Sequence, residues 1–217
     1  MGMWIGRNRK ARVTYGFDEI ALVPGDITIN PNEVDISFQI PRREEEPITL
    51  NIPILASAMD GVVDVKMAIA MGKLGGLAVL NLEGVQTRYE NPDEVLAEMV
   101  SANREQATAL IQKLYLEPVR EELIARRIQE IKEAGVVCAV SSIPQKADRY
   151  GEIAQAAGVD IFVVQSTVST VRHISTEYKT LDISKFCAAM SVPIIVGNTV
   201  TFNATRELMQ TGVAAVL

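Results

Sequence analysis

Four stretches of the chain repeat one pattern of hydrophobic and polar positions: KLGGLAVLN (73–81), EAGVVCAVSS (133–142), QAAGVDIFVVQS (155–166) and QTGVAAVL (210–217). In each, a helix-like segment ends in glycine and a short, β-branched apolar run begins one or two residues later. Gly75, Gly135, Gly158 and Gly212 suit the left-handed position just past a helix C-terminus. Two further runs, IPILAS (52–57) and VPIIVGN (192–198), open with proline, which is tolerated at the start of a strand and not at its centre. The pattern therefore predicts six strands, near 53–57, 77–81, 136–141, 161–165, 193–197 and 213–217. Each is apolar for four or five consecutive residues, the mark of strands covered on both faces, as in parallel sheets flanked by helices.

Amphipathic segments fill the intervals. Val62 to Leu74 joins the first strand to the second, while Asp148 to Ala157 and Ile183 to Met190 serve later connections. The longest connection starts at Asn91-Pro92-Asp93, with proline at the first helical position, runs through Val95, Leu96, Met99, Leu110, Ile111 and Leu114, breaks near Glu117-Pro118 and resumes from Glu121 to Ala134. Alternating strands and helices imply an α/β fold with right-handed crossovers.

The strand ends bear on which α/β fold this is. Ser57, Asn81, Ser141-Ser142, Gln165-Ser166-Thr167 and Gly197-Asn198-Thr199 follow the first five runs. In a parallel (β/α)8 TIM barrel those carboxyl ends converge on one rim, where sites are built. In an open doubly wound sheet only the ends near the switch point would matter, and the first turn would carry G-x-G-x-x-G; here it reads ASAMDGVVD. The barrel is favoured over the open sheet. A complete barrel takes about 250 residues, so with a first strand near Pro53 the chain is expected to hold only about the first six strands. The expected organisation is an N-terminal extension over 1–50 packing on an incomplete barrel over 51–217, with Ile20, Leu22, Val23 and Pro24 as a short strand and turn plugging the barrel floor. Glu44-Glu45-Glu46 reads as a solvated loop.

Composition narrows the chemistry. The 217 residues are 48% hydrophobic and 22% charged, enough for a sizeable core. A net charge of −6 argues against nucleic acid or an anionic membrane as partner, and Arg7, Arg9, Lys10 and Arg12 read as a solvated arm. The sequence has no signal-peptide h-region and no apolar stretch of membrane-spanning length, so a cytoplasmic location is expected. Cys138 and Cys187 read as small buried hydrophobes in a reducing compartment. The lone His173, with no second histidine or cysteine beside it, reads as a surface or helix-capping residue, and no metal site is expected in this chain.

Four stretches also carry a family resemblance: TYGFDEIALVPG (14–25), IPILASAMDGVVDVKMAIAMGKLGGLAVLN (52–81), IPQKADRYGEIAQAAGVDIFVVQSTV (143–168) and VPIIVGNTVTFNATRELMQTGVAAVL (192–217). In this order they resemble the IMP dehydrogenase / GMP reductase family, and within it the IMP dehydrogenase-related branch that lacks the CBS-domain insertion, because helical text runs on from Pro92 to Ala134. The resemblance implies that Ser57 and Met59 contact a purine nucleotide and that Gly197 and Asn198 lie beside the reacting base. It places Gln165, Ser166 and Thr167 where the family commonly has Asp-Ser-Ser near the nicotinamide, with an amide in place of the carboxylate. Read without it, Ser57 is a turn hydroxyl, Met59 a core filler, Asn198 an Asx-type turn, and Asn81 a strand end that needs no ligand.

The implied activity is that of a purine nucleotide oxidoreductase, IMP to XMP with NAD through a covalent cysteine adduct. The alternatives are GMP reduction to IMP with NADPH, or an inactive barrel fragment with only a binding or oligomerising role. The family's nucleophilic cysteine sits on a Gly-rich loop just past the sixth strand, with potassium in the dehydrogenases, so it is expected beyond Leu217. A homotetramer is the implied assembly.

Overall fold

A computed structural model describes residues 3–11, 13 and 15–217; Arg12 of the basic cluster lies outside them. The chain divides into two compact units, Met1–Asp35 and Ile36–Leu217. In the first, strands β1 (Trp4–Ile5) and β2 (Arg9–Lys10) pair antiparallel, and short 3-10 turns follow at Phe17–Glu19 and Pro31–Glu33. Ile20, Leu22, Val23 and Pro24, expected as a strand and turn, form neither and are exposed. A run without an alternating face or a pairing partner gains nothing from strand geometry.

The hairpin that opens the second unit fills the barrel floor. β3 (Phe38–Ile40) and β4 (Ile48–Leu50) pair in the register Phe38 to Leu50 and Ile40 to Ile48. Their alternation turns Ile40, Ile48 and Leu50 onto Leu77, Val79, Ala139, Ile161, Val163 and Ile195, and all nine side chains are buried. Glu44, Glu45 and Glu46 are exposed at the hairpin's tip.

The remaining strands are β5 (Leu55–Ala56), β6 (Leu77–Asn81), β7 (Ala139–Ser142), β8 (Ile161–Gln165), β9 (Ile194–Gly197) and β10 (Ala215–Val216). Among the described residues they form one six-stranded sheet in the order β10-β9-β8-β7-β6-β5, with every neighbouring pair parallel. The sheet curls into a partial TIM barrel. Odd-numbered positions of β6 to β9 face the hairpin. The alternate positions, Ala78, Leu80, Val140, Phe162, Val164, Ile194 and Val196, pack outward against the helices. Burial on both faces is what makes the strands read as unbroken apolar runs.

The helices are α1 (Val65–Lys73), α2 (Pro92–Ser101), α3 (Arg104–Leu114), α4 (Glu121–Glu133), α5 (Pro144–Ala156), α6 (Ile183–Ala189) and α7 (Phe202–Met209). Three boundaries depart from the sequence reading, each for a capping reason. α1 begins at Val65 because the Asp64 carboxylate accepts from Met67 N–H at 2.6 Å. The run expected to be continuous from Pro92 is two helices, because Ala102 is extended and Asn103 caps α3 through Gln106 N–H at 2.9 Å. α5 starts at Pro144, whose fixed φ suits the first helical turn. Gly75, Gly135, Gly158 and Gly212 follow α1, α4, α5 and α7 with φ of 90°, 72°, 83° and 92°, the left-handed stop that the repeated pattern predicts. No helix among the described residues is long and apolar enough to cross a membrane.

Since Leu50 is 2% exposed in the floor cluster, Leu50→Ala is expected to cost about 2–5 kcal/mol of stability. Urea unfolding monitored by far-UV circular dichroism checks this; a loss well under 1 kcal/mol would mean that the hairpin does not seal the floor.

Candidate functional site

The rim is built by strand alternation. Asn81, Gln165 and Gly197 end β6, β8 and β9, and Ser141 is the last but one residue of β7, all on the same inner face as Val79, Val163 and Ile195, with Asn81 paired to Ser141 and Gln165 to Gly197 in register. A polar layer thus caps the apolar interior. Ser141, only 3% exposed, joins this layer, although the sequence marks it as no more than a strand end. Asn81 accepts from Glu83 N–H at 3.0 Å through its Oδ1, a local turn bond.

Beyond the strands, the β8 and β9 tips are stitched together. Ser166 N–H donates to Gly197 C=O at 2.9 Å and Asn198 N–H to Ser166 C=O at 3.0 Å, carrying the ladder one residue past each strand. Ser169, 5% exposed, then folds back: its N–H donates to Asn198 C=O at 2.7 Å and its hydroxyl to Gly197 C=O at 2.8 Å. The Ser166 and Ser169 hydroxyls lie 3.0 Å apart, and the Ser166 hydroxyl donates to Val168 C=O at 2.9 Å. The Gly197–Asn198 peptide is cis. A Cβ on Gly197 would overlap Leu217, so only backbone fits at this corner.

The structure therefore brings Gln165, Ser166, Gly197 and Asn198 together, leaving the Asn198 side chain exposed and the Ser166 hydroxyl committed locally. Ser57 and Met59 sit at the tip of β5, on the same rim but beyond β6, β7 and β8 in sheet order. They form a tight turn in which Met59 N–H donates to Ser57 C=O at 2.8 Å, with Val62 and Val63 N–H both donating to Met59 C=O at 2.9 Å. Met59 is 52% exposed, which does not suit the core filler that residue type alone suggests. Ser169 was missed by sequence reasoning; the only signal is a serine three residues past Ser166, right after a strand end.

A cavity of about 240 Å³ lies under the 166–182 loop, with Thr167, His173, Tyr178 and Ser166 among its lining residues. Its floor includes the outward-facing Val164 and Val196, so it opens on the helix side of the β8 tip, beside the mouth. His173, expected at the surface or at a helix cap, is an exposed loop residue whose Nε2 lies 2.8 Å from the Tyr178 hydroxyl, the two rings stacked at 5.9 Å.

Neither cysteine joins the rim. Cys138 precedes β7 and Cys187 lies in α6; both are buried. Burial, reinforced by the Asp160 carboxylate, pushes the Cys138 thiol up to about 12. Burial pushes Cys187 up to about 11 against the opposing pull of the Arg43 guanidinium. A thiol held this firmly protonated makes a poor nucleophile. Among the described residues no cluster of three or more histidine, cysteine or acidic side chains could hold a metal ion.

Comparison with known proteins adds the family. A sequence model described as "IMP dehydrogenase / GMP reductase domain" matches residues 14–217. An uncharacterized oxidoreductase of Mycobacterium tuberculosis is 32% identical over 98% of this chain and 57% of its own length, and one of Mycolicibacterium smegmatis is 31% identical with the same coverage. The chain thus spans a little over half of the length of these relatives. The crystal structure of an IMP dehydrogenase/GMP reductase-like protein from Corynebacterium glutamicum superposes with a TM-score of 0.89 at 29% identity, over 99% of this chain and 56% of that one.

The two thiols generate a prediction. At pH 8 a thiol with a pKa of about 12 is ionised in only ~1 molecule in 10⁴, so a thiol-alkylating reagent is expected to leave both cysteines unlabelled in the folded protein and to label both in denaturant. Both folded-state pKa values lie above the unfolded one, so stability is fully present below about pH 8.5 and is lost as pH rises toward the folded values. Rapid native labelling, read by mass spectrometry, would show that one thiol is exposed and competent.

Proposed function

The chain belongs to the IMP dehydrogenase / GMP reductase family, and from that premise we propose that the protein carrying it is a purine nucleotide oxidoreductase of the IMP dehydrogenase kind, converting IMP to XMP with NAD. The observation that carries this reading is the stitched rim, where Gly197 and Asn198 are fixed against Ser166 beside a polar mouth lined by Asn81, Ser141 and Gln165. An exposed Asn198 amide on a fixed backbone offers a donor and an acceptor to a base edge. Met59 supplies an adaptable thioether for a ring face and Ser57 a hydroxyl.

Gln165, Ser166 and Thr167 are proposed to hold the nicotinamide cofactor, which supplies the hydride acceptor. The adjoining cavity fits this in size: at about 240 Å³ it is smaller than the ~300–1,000 Å³ that encloses a whole drug-sized ligand, and takes one end of a dinucleotide. Gln165 reaches the mouth with an amide where a carboxylate is common in the family, so it orients the cofactor by neutral hydrogen bonds.

The attacking thiolate is proposed to come from polypeptide beyond Leu217, because Cys138 and Cys187 are buried and held protonated. It would attack C2 of the base, and hydride leaves C2 for NAD; water then displaces the thiolate and gives XMP. A potassium ion beside that loop, a homotetrameric assembly and a cytoplasmic location belong to the same proposal. GMP reduction to IMP with NADPH uses the same residues of this chain and is the second reading; a family whose description names both activities favours keeping it.

Full-length protein is expected to reduce NAD in the presence of IMP, while residues 1–217 alone are expected to turn over nothing. Oxidation of NADPH with GMP would instead establish the reductase, and no change in nicotinamide absorbance with either pair would refute an oxidoreductase acting on these nucleotides. Asn198→Ala is expected to weaken nucleotide binding about tenfold or more with little change in melting temperature. Wild-type affinity in that variant, measured calorimetrically, would remove Asn198 from the site.

A further inference from the structure

One residue beyond Met59, the chain makes a connection that the oxidoreductase reading does not use. Half-buried Asp60 turns its carboxylate over Gly84, where a Cβ would overlap it. Its Oδ2 accepts from Val85 N–H at 2.8 Å and from the Tyr115 hydroxyl. Its Oδ1 is buried without a hydrogen-bond partner among the described residues, so these two donors alone hold the carboxylate.

Tyr115 comes from the end of α3. The α2–α3 pair is thinly attached: α2 buries no residue and α3 buries only Leu114. Beside Leu114, polar contacts hold its C-terminal end. The Arg88 guanidinium lies 5.4 Å from the Tyr115 ring centroid while donating to the backbone carbonyls of Glu83 and Glu117. The Tyr89 hydroxyl donates to Leu114 C=O at 2.8 Å. Burial first, and then the Asp60 carboxylate, push the Tyr115 phenol well above its ordinary value, so it remains a donor.

We propose that Tyr115 and Asp60 form a latch that positions the Ser57–Met59 turn for the nucleotide, making Tyr115 and Asp60 positioning residues and coupling the docking of the α2–α3 pair to the purine side of the site. The geometry supports direct transmission. Met59 C=O accepts the N–H groups of both Val62 and Val63, so Asp60 lies inside the turn that Met59 closes, and its side chain is the tether between that turn and the 84–85 backbone. The inference rests on Ser57 and Met59 contacting the purine, and its test can fail separately from that reading.

Tyr115→Phe keeps the ring and its contact with Arg88 and removes only the donor. Gly84→Ala displaces the Asp60 carboxylate without touching Tyr115, and its backbone φ of −91° accepts alanine freely. Both variants of the full-length protein are expected to keep the wild-type circular dichroism spectrum and to exchange amide hydrogens over residues 57–63 about tenfold faster. Loss of a hydrogen bond to a carboxylate corresponds to about that factor or more. The KM for the nucleotide is expected to rise about tenfold with kcat within about twofold, a split that general destabilisation does not produce.

Wild-type exchange over 57–63 in both variants overturns the latch, whatever the protein turns over. So does an unchanged nucleotide KM in active variants. Faster exchange in a protein whose wild type turns over neither nucleotide pair supports the tether and counts against the purine reading.

Discussion

Burial of the parallel sheet on both faces is the constraint from which the rest of the structure follows. Leu77, Val79, Ile161, Val163 and Ile195 leave water only because the 38–50 hairpin seals the inner face from below. Leu80, Val140, Phe162, Val164 and Val196 leave it only because helices cover the outer one. At roughly 25 cal/mol per Å² of apolar surface removed from water, this two-sided packing is the dominant favourable contribution, and it fixes the register of every strand. Register in turn decides which side chain stands at the end of each strand on the inner face. The polar layer of Asn81, Ser141, Gln165 and Gly197 is therefore a product of core packing: shift one strand by one residue and the rim would present Leu80 or Val164 to the mouth.

On that rigid base the rim is fixed by polar bonds. Ser169 closes the β8 and β9 tips through two carbonyls, so Asn198 is presented from backbone with little freedom left. The Ser57–Met59 turn, at the tip of β5, is tied from the side through Asp60 to Val85 and Tyr115. The two halves of the proposed site are thus held by different means. One is an extension of the sheet; the other depends on a helical pair that contributes little burial of its own.

Much of the fold was legible because its signals are local. Continuous apolar runs and glycines at left-handed positions require no knowledge of distant contacts, and all six runs appear as parallel strands. What was misjudged depends on tertiary partners. Ile20–Pro24 was read as a strand and turn and forms neither, whereas the alternation of Ile40, Ile48 and Leu50, which does form strands against the sheet, was short enough to pass for loop. The break at Asn103 was masked by apolar periodicity on both sides. Of the site, Gly197, Asn198 and Ser166 were legible as strand ends and are brought together, and Ser141 was legible in the same way; Ser169 and the Tyr115–Asp60 contact were not, because their roles arise from residues 28 and 55 positions away.

The central claim is that separate strand tips of one parallel sheet converge on a single purine nucleotide. A hydrogen-exchange footprint of the full-length protein with saturating IMP or GMP tests this most directly. The account predicts simultaneous protection of 57–62, 165–169 and 197–199, with the floor hairpin at 38–50 unaffected. Protection confined to one of these segments, or appearing only on the helices, would contradict it.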